Sequence, residues 1–267
     1  MKKAERIAKL VVEAILPGAE MHLYEDQSGG RHDFDLCLPS GEMAALEVTT
    51  STNEQLRSTI AAICDPRRGG HFVPTRRCQK DWSVHLRPGA SIKKIRSCVD
   101  QYLADVEAAG LQRFIAPTDC ARYPAVDQIY RDLAIEAGEV TVWKQPGQIG
   151  IWLPDGGEFT GEHVQSAVRA EAFKGDNRTK LGKTGCCERH LFVYVDPWNY
   201  PTWKSLLDEH APAEPPELPN EISHVWVVSE TRDPGRLVVW RGGADVGWSE
   251  THDTGDTLRD SLHPKDR

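Results

Sequence analysis

Residues 30–50 read GRHDFDLCLPSGEMAALEVTT, and their pattern sets the expectation for the fold. The stretch divides into two strand-like runs around the polar break Pro39-Ser40-Gly41, which suits a tight hairpin. In Asp33-Phe34-Asp35-Leu36 acids alternate with apolar side chains, and in Leu46-Glu47-Val48-Thr49 an acid and a hydroxyl do the same. Side chains along a strand alternate between faces, so Asp33 and Asp35 are expected on one face, and so are Glu47 and Thr49. Directly opposed residues in an antiparallel pair lie roughly 4.5–5.5 Å apart at Cβ. Asp33 or Asp35 together with Glu47 can therefore meet at one point, as a hard divalent cation requires.

Upstream, residues 3–15 predict an amphipathic helix, with Ile7, Leu10, Val11 and Ala14 on one stripe and Pro17-Gly18 closing it. Glu13 lies on the flank of that stripe, where it could edge into a site. Met21–Tyr24 predicts a short strand, and Gln27-Ser28-Gly29-Gly30 a turn. The chain thus opens helix, strand, strand, strand. Downstream, Ser51 or Thr52 can cap a helix over 53–64. A basic segment follows, part of it loop, with a strand at 82–86. Ser91 caps a helix reaching about 109. A helix over 124–137 is closed by Gly138, and strands 140–144 and 148–154 form a hairpin through Gln145-Pro146-Gly147. After Gly156-Gly157 come a helix at 161–173, the polar stretch GDNRTKLGKTG and the almost wholly apolar strand HLFVYVD at 190–196, which suits the centre of a sheet. A short helix over 201–209, a Pro-rich connection at 211–220 and two final strands complete the pattern. From Ser249 onward the tail is polar and expected to fray.

Composition sets the class. The chain has 267 residues, 39% apolar and 27% charged, as soluble globular proteins do. No apolar run approaches the roughly 18 residues of a membrane span. The basic start lacks the cleavage pattern of a secretory signal. Seven cysteines, an odd number without a C-x-x-C pair, suit reduced thiols in a cytoplasm. Cys64, His71, Cys78 and His85 recur at intervals of seven, which matches no short zinc-knuckle spacing. Net charge is −8, yet residues 66–96 carry nine basic side chains against Asp81 alone. A basic segment on an acidic body suits a phosphate-facing surface, with Arg67, Arg68, Arg76, Arg77, Lys80, Lys93 and Lys94 as its expected nucleic-acid contacts.

Other chemistries find less support. Asn177–Thr184 reads NRTKLGKT against G-x-x-x-x-G-K-[ST], so the first glycine of a phosphate loop is missing, as are the strand before it and the helix after it. No G-x-S-x-G nucleophile motif occurs.

The helix followed by strands bearing D-F-D-L and L-E-V-T resembles the restriction-endonuclease-like superfamily, whose shorthand is PD-(D/E)-x-K. The resemblance covers residues 3–64, with 161–196 as the continuing core. It implies an α/β fold: a central mixed sheet flanked by helices, here with a large basic insertion. The expected divisions are 1–65 and 155–248 for the core, 66–154 for the insertion and 249–267 for the tail. The resemblance implies Asp33 as first metal ligand, Asp35 as its same-face alternative, Glu47 as second ligand and Val48 as a carbonyl donor to Mg2+ or Mn2+. His32 stands where the motif has proline, and Thr49 where it has the lysine that positions or activates the attacking water. In some members that lysine comes from a neighbouring helix, and Lys180 is the candidate here. The resemblance therefore implies a metal-dependent nuclease acting on DNA ahead of RNA, at home in genome defence or mobile-element biology and compatible with a homodimer or larger assembly. The alternative is a catalytically degenerate nuclease-like module that binds nucleic acid or a protein partner.

Overall fold

The computed structural model describes residues 1–24, 30–153, 159–208, 212–231, 233, 236–243, 246–249 and 252–253. The elements in chain order are α1 (Lys3–Ile15), β1 (Glu20–Leu23), β2 (Phe34–Cys37), β3 (Met43–Ser51), α2 (Glu54–Cys64), β4 (Phe72–Pro74), β5 (Asp81–Leu86), α3 (Ile92–Ala108), β6 (Arg113–Ile115), α4 (Ala116–Asp119), α5 (Pro124–Leu133), β7 (Ile135–Thr141), β8 (Gln148–Trp152), α6 (Gly161–Ala172), α7 (Gly175–Gly182), β9 (Glu188–Val195), α8 (Tyr200–Leu207), β10 (His224–Glu230), β11 (Leu237–Gly243), β12 (Gly247–Trp248) and β13 (His252–Asp253). Two compact units result, Met1–Thr52 with Glu158–Arg267, and Asn53–Gly157. Both are sheets flanked by helices, so the chain is α/β. Most of the turn expected at 27–30, the Gly156-Gly157 break and nearly all of the tail lie outside the described residues.

The first unit is built on a mixed sheet in the order β1-β2-β3-β9-β10-β11-β12, with β13 also on β11. The opening meander forms as expected, β1 and β3 both antiparallel to β2. Its tight turn is made by Leu38 and Glu42, whose N and O bond at 2.9 Å, with Gly41 at φ +84° where an L side chain would be strained. β3, β9 and β10 run parallel. β9 is buried from His190 to Val195 because both its faces are covered. Phe192 and Tyr194 join Ala44, Leu46 and the α1 residues Ile7, Val11 and Val12 in one core. Leu191, Val193 and Val195 join Ala45 and the residues Val164, Val168, Leu181 and Leu206 of α6, α7 and α8 in another. By alternation from Ala45, Glu47 faces α6 and α7.

The second unit has the sheet order β4-β8-β5-β7-β6. Trp82, Val84 and Leu86 of β5 pack with Ile95, Val99 and Leu103 of α3 and with Val126 and Ile129 of α5.

Four local expectations change. α2 is capped by Asn53, whose side chain accepts from Leu56 N at 2.9 Å, because Ser51 still belongs to β3. α5 ends at Leu133, with Ala134 left-handed at φ +55°, and residues 135–141 are β7. Gly138 is therefore a packing glycine rather than a helix stop: a Cβ there would lie 2.5 Å from the Phe114 ring. β7 and β8 form no hairpin, since β5 lies between them, antiparallel to β7 and parallel to β8. Finally, the polar stretch after α6 contains α7, a helix with only Asn177 and Leu181 buried and too little apolar periodicity to reveal it.

Candidate active site

β3 brings Glu47 into the first unit's core, where the residue is 2% exposed. From α7, Lys180 places its ammonium 2.8 Å from Glu47 Oε1 and 3.0 Å from Asp176 Oδ2. Glu47 Oε2 is buried with no hydrogen-bond partner among the described residues. Asp33, also buried, sits just before β2 and accepts from Val48 N through Oδ2 at 2.8 Å. The sequence-expected Asp33, Glu47 and Lys180 thus act on one another electrostatically across 147 positions of chain, from 33 to 180.

The electrostatics follow from burial. It pushes the Glu47 carboxyl up to about 7; Asp33 beside it adds to the rise and Lys180 opposes it. Asp33 is raised too, first by burial, against the Val48 hydrogen bond and Lys180, while Glu5 adds repulsion. Burial works to lower the Lys180 pKa, but its bonds to Glu47 and Asp176 outweigh that and the ammonium is held more firmly than usual. The two carboxyl shifts report burial and mutual crowding, and such perturbations concentrate at functional sites.

Other expected residues lie elsewhere. Asp35 is held by His32 Nε2 at 2.9 Å and by the Tyr24 hydroxyl, whose hydrogen bonds lower its pKa against the effect of burial. It meets neither Glu47 nor Lys180 among the described contacts. Asp33 precedes the strand in a bend, so the alternation that would align the two acids begins only at Phe34. Thr49 donates to Glu171 Oε2 of α6 at 2.7 Å, and Lys174 reaches the same oxygen at 2.5 Å. Glu13 pairs with Lys9 and accepts from Met21 N, away from the cluster. Glu5, Glu171 and Asp176 were not anticipated. Asp176 and Lys180 do show the i,i+4 spacing of a helical ion pair, legible once a helix is assumed. A pocket of about 450 Å³ borders this region, lined by Lys2, Lys3, Glu5, Val48, Thr49, Thr50 and Tyr194.

Which residues could hold a cation? Asp33 and Glu47 offer hard oxygen donors, and the orphaned Glu47 Oε2 is a buried lone-pair site that a cation would satisfy. A second group, Glu188, His190 and His224, presents ligand atoms within 4.8 Å of one another and could hold a metal ion. Its nitrogen-rich donors suit a softer ion than magnesium. Trp226 Nε1 donates to His190 Nδ1 at 3.1 Å. An indole only donates, so the His190 proton sits on Nε2, 2.9 Å from Glu188 Oε2. A metal on Nε2 would have to displace that proton, and Arg241 nearby opposes a further positive charge. No family model, curated protein or solved structure matches this chain.

The expected nucleic-acid contacts lie in the second unit and are exposed. Their segment is tied down by acids. Asp100 accepts from Arg76 N and Arg77 N, and Glu107 from Gln79 N and Lys80 N. Arg67 N and the Arg68 guanidinium both meet Asp65, and Lys94 lies 3.9 Å from Asp132. Part of the positive charge is thus neutralised locally. Arg68, Lys93 and Arg96 with Ile92 line a pocket of about 350 Å³. Among the described residues no helix is long and apolar enough to cross a membrane.

Proposed function

We propose that the chain is a divergent restriction-endonuclease-like enzyme that hydrolyses phosphodiester bonds of nucleic acid with Mg2+ or Mn2+ at Asp33 and Glu47. The observation that carries this reading is the position of Lys180. The motif's own lysine position holds Thr49, yet a lysine from another element lies 2.8 Å from the second acid. In this reading Asp33 and Glu47 hold the cation, and the Val48 N–H fixes the Asp33 carboxylate. A bound cation would lower the pKa of a water and offset charge on the scissile phosphate. Lys180 adds a fixed ammonium beside the reacting oxygens, held in place by Asp176. Thr49 is a positioning group through Glu171 rather than a substitute for the lysine. The basic segment contributes long-range attraction for the substrate backbone. A cytoplasmic role in genome defence is compatible with this chemistry.

The test is incubation with linear, circular and single-stranded DNA and with RNA, in magnesium, manganese or chelator. Cleavage that needs metal and disappears in Asp33→Ala, Glu47→Ala and Lys180→Ala is expected. Cleavage retained in Lys180→Ala would remove the lysine from the mechanism. A second reading, a degenerate module that binds without cutting, draws on one observation: Lys180 already pairs with both Glu47 and Asp176 without a metal ion. Binding with no cleavage of any substrate would select it.

A further inference from the structure

The second unit contains a thiol–imidazole pair that the phosphodiester reading does not use. Cys64 closes α2 and is exposed, and its Sγ lies 3.4 Å from His71 Nε2. The histidine's other nitrogen, Nδ1, is 3.3 Å from the Ile151 carbonyl. A carbonyl only accepts, so the ring proton sits on Nδ1 and the Nε2 lone pair faces the thiol. The ring is further held by stacking on the Trp152 indole, with centroids 4.8 Å apart and planes 22° from parallel. A nucleophile, a base in reach and a third group orienting the base form the arrangement that activates a side chain for covalent chemistry.

The seven-residue spacing of Cys64 and His71 is a built turn. Asp65 begins it: its side chain accepts from Arg67 N at 3.0 Å and its carbonyl from Gly70 N at 3.1 Å. Gly69 and Gly70 then turn the chain back through positive φ, at +93° and +63°. Arg96 locks both arms. Its guanidinium donates to the carbonyls of Ile63 and Gly70, the residues just before Cys64 and His71, and to Phe72 O. The same Arg96, with Arg68 and Lys93, lines the pocket of about 350 Å³. The turn that carries Cys64 also carries Arg68, and Arg96 ties it to the helix that bears Lys93, so the surface around the thiol favours a small electrophile with negative charge.

We propose that Cys64 and His71 form a thiol–disulfide exchange site for small anionic disulfides. His71 Nε2 takes the thiol proton as Sγ attacks one sulfur of the disulfide. The new S–S bond to Cys64 forms as the old one breaks, and the departing thiolate takes the proton back from His71. Cys64 is oxidised and the leaving sulfur reduced, so no further oxidant is needed, and excess thiol reverses the step. Arg68 and Lys93 hold the carboxylates of the incoming disulfide.

Cys187 supplies an internal comparison, since it is also exposed but has no histidine partner among the described residues. The full-length protein is treated with glutathione disulfide, which is anionic, or with cystamine, which is cationic, and adduct formation at each cysteine is followed by peptide mass spectrometry. Cys64 is expected to capture glutathione at least about tenfold faster than Cys187. His71→Gln should bring Cys64 down to the Cys187 rate. His71→Phe, which keeps a ring against Trp152, should do the same and separates loss of the base from loss of packing. Arg68→Ala/Lys93→Ala should slow the glutathione reaction and leave cystamine unslowed. Equal rates at Cys64 and Cys187, or an undiminished rate in both His71 variants, would overturn the site. Equal preference for the two disulfides would overturn its anionic ligand.

Discussion

Glu47 holds one carboxylate oxygen against Lys180 and leaves the other buried without a partner among the described residues, and this asymmetry makes the residue-scale predictions. With its carboxyl pushed up to about 7, proton and cation compete for Glu47 near neutrality. Affinity for Mn2+, read from the electron paramagnetic resonance of free ion, is expected to strengthen as pH rises through about 7. Glu47→Gln should lose both affinity and slope; a slope that survives in the variant would place the cation elsewhere. Stability has the opposite sign. Between the ordinary glutamate value of 4.5 and about 7, the folded chain keeps a proton that the unfolded chain has released. Stability contributed by this group is therefore present at low pH and lost as pH rises through that window. Removing the counter-charge exposes the same cost. In denaturant melts Lys180→Met is expected to cost about 1–3 kcal/mol well above that window and less below it, where Glu47 is protonated. An equal cost at both ends would show that Lys180 contributes through packing alone.

At the scale of elements, the useful contrast is between helices that announce themselves and one that does not. α1 and α3 carry apolar stripes that reach the core, and their spans were legible in the sequence. α7 offers Leu181 and Asn177 only, and Asn177 is tied to the Glu171 carbonyl at 2.9 Å. Its helicity comes from docking on β3 and β9, because so short a helix gains too little from its own hydrogen bonds. Leu181→Ala should cost about 2–5 kcal/mol and loosen Lys180 with it, so cleavage should fall together with stability. The Gly138→Ala change tests the packing of β7. Its added methyl would meet the Phe114 ring and should destabilise by about 1–3 kcal/mol. Chemical denaturation measures the loss, and unchanged stability would remove the Phe114 contact.

For the whole molecule, charge and core are partitioned differently between the units. The basic segment lies in the unit Asn53–Gly157, which has its own sheet and core. Arg76→Ala/Arg77→Ala should weaken nucleic-acid binding and flatten the log–log salt dependence by about 1–2, one increment for each lost phosphate contact. An unchanged slope would remove these two arginines from the interface. The backbone amides of both bind Asp100, and alanine keeps those amides, so the fold of the segment should survive the change.

What the sequence determined by itself is local. Alternation at 34–36 and 46–49, the helical stripe of residues 3–15 and the apolar run at 190–196 specify elements because side-chain period is set by backbone geometry within a few residues. Glu47 was legible for the same reason, and Asp33 through the D-F-D-L motif. What only tertiary structure decided is convergence. Strand order inserted β5 between β7 and β8, a bend divided Asp33 from Asp35, and packing of an unannounced helix carried Lys180 to Glu47. A turn locked by Arg96 likewise set Cys64 against His71. None of these depends on a repeat that neighbouring residues can encode. Each follows from which surfaces bury one another, and the hydrophobic effect that drives burial carries no direction of its own.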